Sequence, residues 1–161
     1  MAKDCLIIPS AGVDLKAVAA LADVAVSRGS NAPALPYFQF CKGLVEYRQG
    51  NWGNVEDWMS KSLVGTNLWD HTRHVEAHMV LAMAQFQLKR VGDARVSFAK
   101  GIEIAREKLP KLESGDIGNG WIDWLIAHAL MREAQALIEG RAKNGGEAII
   151  PDSSATEKES Q

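Results

Sequence analysis

Apolar positions along this chain recur every three or four residues, the spacing of a helix buried on one side. In YFQFCKGLVEYRQ, residues 37–49, Phe40, Leu44 and Tyr47 share a face. In VEDWMSKSLV, residues 55–64, the matching stripe is Val55, Met59 and Leu63. HVEAHMVLAMAQFQLKR, residues 74–90, is apolar nearly all round, which predicts a helix buried on several sides. VGDARVSFAKGIEIAREKL follows after a brief interruption at Gly92 and Asp93, and Pro110 closes it. WIDWLIAHALMREAQALIEG carries a last stripe of Ile122, Ile126, Leu130, Ala134 and Leu137. Near the start, residues 14–28 form an Ala-rich segment that Asp14 can cap and Gly29 can end. GSNAPALP reads as a linker. No strand pattern emerges. The expectation is an all-α chain of about six helices over residues 1–140, with 141–161 a Gly-, Ser- and Glu-rich tail outside the core.

Composition narrows the function classes. A chain of 161 residues suits one domain and can bury a core without disulfides or metal. The net charge of −2 disfavours nucleic acid, which calls for a basic face, and disfavours docking on an anionic membrane. No apolar run reaches the ~18 residues of a membrane span, and MAKDCLIIPSAG is not a secretory signal. Cys5 and Cys41 make no CxxC pair, so they read as small apolar residues in a reducing compartment. The expected location is cytoplasmic, with no cofactor.

The helices also repeat. When FCKGLVEYRQGNWGNVEDWMSKSL is laid over HMVLAMAQFQLKRVGDARVSFAKGI, Gly43 falls on Ala82, Tyr47 on Phe86 and Val55 on Ala94. Met59 falls on Phe98 and Ser62 on Gly101. Small residues coincide where two antiparallel helices must cross closely, and large ones fill the space beside the crossing. This pattern resembles the tetratricopeptide repeat: a mid-helix small residue (Gly43, Ala82), a following aromatic (Tyr47, Phe86), a turn glycine (Gly50) and an aromatic just beyond it (Trp52). The two repeats, about 36–67 and 75–110, are offset by 39 residues (43 to 82) rather than the family's ~34. Lys89 stands where the second repeat should have its turn glycine, and Val55 stands where the family commonly has Ala. CLIIPSAGVDLKAVAALADVAV, KGLVEYRQGNW, AHMVLAMAQFQL and WIDWLIAHALMREAQALI are together similar to C-terminal helical-repeat segments of certain bacterial serine/threonine protein kinases. No kinase motif is present in the chain itself.

The resemblance implies a short α-solenoid with a capping helix at about 120–139, acting as a non-catalytic docking module for a protein, a peptide or a second copy of itself. It implies a concave groove lined by Tyr37, Phe40, Leu44, Tyr47 and Arg48 from the first repeat and by Glu76, Met79, Met83, Phe86 and Gln87 from the second. The family's Lys/Asn clamp for a terminal carboxylate is missing, since Phe40, Leu44 and Arg48 hold those positions. With only two full repeats, the last helix can instead fold back over this strip and make it core.

Candidate chemistry is sparse. His71, His74 and His78 fall at i, i+3 and i+7, a spacing that could grip a metal and support a small metal-dependent enzyme, although Glu76 sits at the wrong offset for HExxH chemistry. A packing role is the preferred reading for these three and for His128 beside Trp124. The five tryptophans read as junction and core packing rather than as a base-stacking platform, for want of interleaved basic residues. Asp70 and Asp93 read as helix caps.

Overall fold

The computed structural model describes residues 3–7, 12–64, 70–111 and 120–144, with side chains as far as residue 140. A 3-10 turn at Asp4–Leu6 precedes six α-helices: α1 (Leu15–Arg28), α2 (Leu35–Arg48), α3 (Trp52–Leu63), α4 (His71–Gln87), α5 (Val91–Lys108) and α6 (Trp121–Asn144). No strand occurs among the described residues, as the periodicity predicts. Asp14 caps α1 as expected: its carboxylate accepts from the backbone N–H groups of Lys16 and Ala17 at 2.9 and 3.2 Å. Several boundaries differ from the sequence reading. Pro36 lies in the first turn of α2, where its missing N–H costs nothing, so α2 begins before Tyr37. Trp52 opens α3 and Gly53 lies inside it, so the turn before α3 is shorter than the gap between the 37–49 and 55–64 patterns. α6 runs on to Asn144, four residues into the expected tail.

The two halves share one turn. After α2, the Gly50 N–H donates to the Tyr47 carbonyl and the Asn51 N–H to the Glu46 carbonyl. After α4, the Lys89 N–H donates to the Phe86 carbonyl and the Arg90 N–H to the Gln85 carbonyl. Each bond in the first set has its counterpart 39 residues on, and both sets form the Schellman ending of a helix. Such an ending places one residue in the left-handed region. That residue is Gly50 (φ +80°) in the first half and Lys89 (φ +66°) in the second.

Helix pairs α2/α3 and α4/α5 are the best-packed neighbours, and α3 packs on α4 to join them. Each pair has one point of close approach. A Cβ added at Gly43 would overlap the Met59 methyl and lie 3.0 Å from the Trp58 Cβ. One added at Gly101 would overlap the Met79 methyl and lie 3.1 Å from the His78 Cβ. Both positions were singled out as small on sequence grounds, and the reason is now geometric: each glycine takes the end of a methionine from the facing helix. α1 packs on the outer side of α2 through Val18 and Ala22, leaving Leu21 and Val24 exposed.

α6 departs from the regularity. It packs chiefly on α4 and touches α5 at few positions, unlike the full α3–α4 contact. Trp124, Ile126, Ala127, Leu130, Ala134 and Ile138 are its buried face. Ile122, expected in that stripe, is half-exposed instead, because the inward face of α6 starts from Trp124.

Candidate functional site

The strip that the repeat pattern marks as a groove is assembled in the structure, and it is closed. Phe40, Leu44, Met79 and Met83 are fully buried in one core with Tyr47 and Phe86. Glu76 is 1% exposed, Arg48 and Gln87 are half-buried, and Tyr37 is the most exposed of the ten at 37%. α6 lies on α4, and the N-terminal 3-10 turn, with Leu6 buried, lies on α2. Phe40, Leu44, Met79 and Met83 thus lie in the core, as in the second of the two arrangements the sequence allowed.

Two polar clusters hold the cover in place. Arg48, at the end of α2, donates to both carboxylate oxygens of Glu133 on α6; its Nη2 lies 2.8 Å from Glu133 Oε2. The same guanidinium donates to the carbonyls of Leu6 (2.8 Å) and Ile7 (3.1 Å), so one side chain fastens the N-terminal turn, α2 and α6 together. Its fork geometry is what a bidentate carboxylate contact needs. In the second cluster, Lys3 donates to Asp123 on α6 and reaches Glu76 on α4 at 3.4 Å. Burial pushes the Glu76 carboxyl up to about 8, with Lys3 opposing the shift and Asp123 adding to it. Burial also acts against the charge on Lys3, but Glu76 and Asp123 outweigh it and hold that ammonium above its usual value. Neither Lys3, Asp123 nor Glu133 was singled out in the sequence.

A third buried cluster sits at the start of α4. Asp70 occupies the N-cap position, yet its side chain does not cap the helix. It accepts instead from the Tyr37 hydroxyl and from Arg73 Nη2 at 2.9 Å. Burial works against the Asp70 charge, and these two bonds outweigh it and keep the carboxyl below its usual range. Burial and the Asp70 contact push the Tyr37 phenol up to about 12. Arg73, 2% exposed, also lies 3.3 Å from Ser62 Oγ and 5.3 Å from the Tyr37 ring centre. Asp93 likewise does not cap; it lies in the first turn of α5 and pairs with Arg90 at 2.8 Å.

The three histidines of α4 are not brought together as a ligand group. Among the described residues, no three His, Cys, Asp or Glu side chains come together as ligands. His78 faces Gly101 across the α4–α5 contact, where burial holds its imidazole below the usual value. Burial does the same to His74, helped by the neighbouring Arg73. Cys41 is mostly enclosed, and burial raises its thiol to about 11, which suppresses the thiolate a nucleophile would need.

Exposed large apolar side chains occur on several helices, among them Leu21 and Val24 on α1 and Val96 on α5, and three of them gather at the start of α6. Trp121, Ile122 and Leu125 are about half exposed, whereas Trp124 is buried. The tryptophans thus divide: Trp124 is core, Trp52 and Trp58 are half-buried, Trp121 faces outward, and Trp69 lies outside the described residues. Between α5 and α6, where contact is thin, a cleft of about 480 Å³ opens. Its apolar wall includes Ile102, Leu109, Trp124 and Met131, and Arg106, Lys111 and Arg132 line it with charge. His128 tilts against Trp124 with ring centres 3.9 Å apart. Burial and then Arg132 keep its imidazole below the usual value.

No helix among the described residues is long and apolar enough to cross a membrane. No family model, curated protein or solved structure matches this chain.

Proposed function

We propose that this chain is a non-catalytic interaction module, a short stack of antiparallel helix pairs resembling tetratricopeptide repeats, which binds a protein partner through the outer surface at the start of α6. One observation carries the reading. Trp121, Ile122 and Leu125 are 50%, 49% and 49% exposed and share one and a half turns of a helix. Large apolar side chains gathered at a solvent-facing surface mark interaction sites, and Trp is among the commonest anchors of binding energy. The inner strip has no part in this reading, because Phe40, Leu44, Met79 and Met83 offer no surface. The narrower resemblance, to helical segments of bacterial serine/threonine kinases, makes a longer signalling protein the expected setting.

The test compares the wild-type chain with a Trp121→Ser/Leu125→Ser variant in affinity capture followed by mass spectrometry, with the urea midpoint as the check on folding. Light scattering on the purified chain shows whether the partner is a second copy. A partner, or a dimer, that the folded variant loses is the expected result. A partner retained by the variant at wild-type level, or a wild-type chain that captures nothing and stays monomeric, removes the patch as the binding surface.

A further inference from the structure

We propose that the cleft between α5 and α6 is a binding site for a small amphipathic carboxylate, with its apolar body on the α5–α6 floor and its anionic head between Arg106 and Arg132. This goes beyond partner binding and does not depend on it. The cleft exists because α6 leans onto α4, leaving unfilled the space that the α3–α4 contact fills one repeat earlier. Its volume, about 480 Å³, falls within the range of small-molecule sites.

The lining has two chemistries. Ile102, Ala105, Leu109, Pro110, Trp124 and Met131 supply apolar surface. Arg106 on α5 and Arg132 on α6 line the cleft from its two helices, and none of the described lining residues is acidic. Among the described residues, neither arginine has a carboxylate within ion-pair distance, whereas Arg48, Arg73 and Arg90 each have one. A chain of net charge −2 that places Arg106 and Arg132 beside one apolar cleft, with no acidic side chain among its described lining residues, has complementarity for an anion. The floor is pre-formed. The Trp124 indole N–H donates to the Pro110 carbonyl at 2.9 Å, so the ring is fixed and presents carbon surface to the cleft. Met131 supplies an adaptable thioether beside it.

Binding of two probes to the full chain tests this: 1-naphthoate, and its neutral isostere 1-naphthamide. Calorimetry gives the affinity, and the indole 15N–1H signal of Trp124, assigned through Trp124→Phe, reports the site. The expected result is saturable one-to-one binding of naphthoate that shifts the Trp124 signal, with the amide bound at least tenfold more weakly. Arg106→Gln/Arg132→Gln lies on exposed positions, so the fold should persist; it should weaken naphthoate at least tenfold and leave the amide unchanged. Met131→Trp, which fills the cleft, should abolish both. Equal affinity for acid and amide, indifference to the loss of both arginines, or no saturation at millimolar probe would overturn the proposal.

Discussion

Gly50 and Lys89 occupy the same place in the two halves of this protein, 39 residues apart, each in the left-handed region at the end of a helix that crosses its partner. Glycine adopts that conformation freely, while a side chain there brings Cβ against the neighbouring carbonyl at roughly 1–2 kcal/mol. The hydrogen bonds around the two residues are the same, so the strain at Lys89 has no local compensation that Gly50 lacks. Lys89→Gly should therefore stabilise the fold by about 1 kcal/mol, somewhat less than the strain because glycine also frees the unfolded chain. Gly50→Lys should cost about the same. Urea midpoints at constant m value measure both, and a Lys89→Gly variant less stable than wild type would contradict the strain.

Glu76 links stability to pH. Its carboxyl is raised in the folded state from 4.5 to about 8, so the folded chain binds this proton more tightly than the unfolded one. The stability tied to that proton is complete below about pH 4.5 and is lost as pH rises through about 8, at a slope of at most ~1.4 kcal/mol per pH unit. Asp70 and Glu46 are shifted the other way and act at the acid end, where their stabilisation is lost as pH falls. Glu76→Gln should flatten the decline between pH 5 and 8 and leave the acid limb unchanged. Parallel declines in the two proteins over that window would show that Glu76 ionises without cost.

Arg48 should behave as a fastener that lysine cannot replace. Arg48→Met leaves Glu133 without its cation and the Leu6 and Ile7 carbonyls without a donor, at a cost of about 2–3 kcal/mol. Arg48→Lys should recover less than half, since an ammonium cannot reach both oxygens and two carbonyls in one plane. Glu133→Gln keeps acceptors in place and should cost about 1 kcal/mol. A double-mutant cycle on Arg48 and Glu133 isolates the pair, and a coupling near zero would show that the cover is held by apolar packing alone.

The sequence told which residues face inward better than it told what lies on top of them. Helical period put Phe40 and Leu44 on one face, the repeat resemblance put Met79 and Met83 beside them, and the pairing of small with large residues marked the close approaches at Gly43 and Gly101. It missed the helical Trp52 and Gly53, because local breaker signals are overridden when Trp52 can pack on the core. It could not place the cover. Arg48 meets Glu133 across 85 residues and Lys3 meets Asp123 across 120, and no periodicity within one helix encodes such partners. The cleft was illegible for the same reason: no pattern within α5 or α6 puts Arg106 and Arg132 beside one cavity.

Met83→Asp separates a covered strip from an open one. Met83 has no exposed surface and belongs to the same apolar core as Phe40, Leu44 and Met79. An aspartate there must either ionise in an apolar interior or fold protonated, and both routes cost several kcal/mol on top of the lost methionine packing. Leu125→Asp makes the same chemical change at a position 49% exposed, where the carboxylate keeps its water and the loss should stay within about 1 kcal/mol. The contrast, read as two urea midpoints or two melting temperatures, should be large. A folded Met83→Asp protein of near-wild-type stability would mean that α6 lifts readily from α4 and that the strip reaches solvent. In that case partner capture by the two variants would assign the binding surface: loss in Met83→Asp alone to the strip, and loss in Leu125→Asp alone to the outer face of α6.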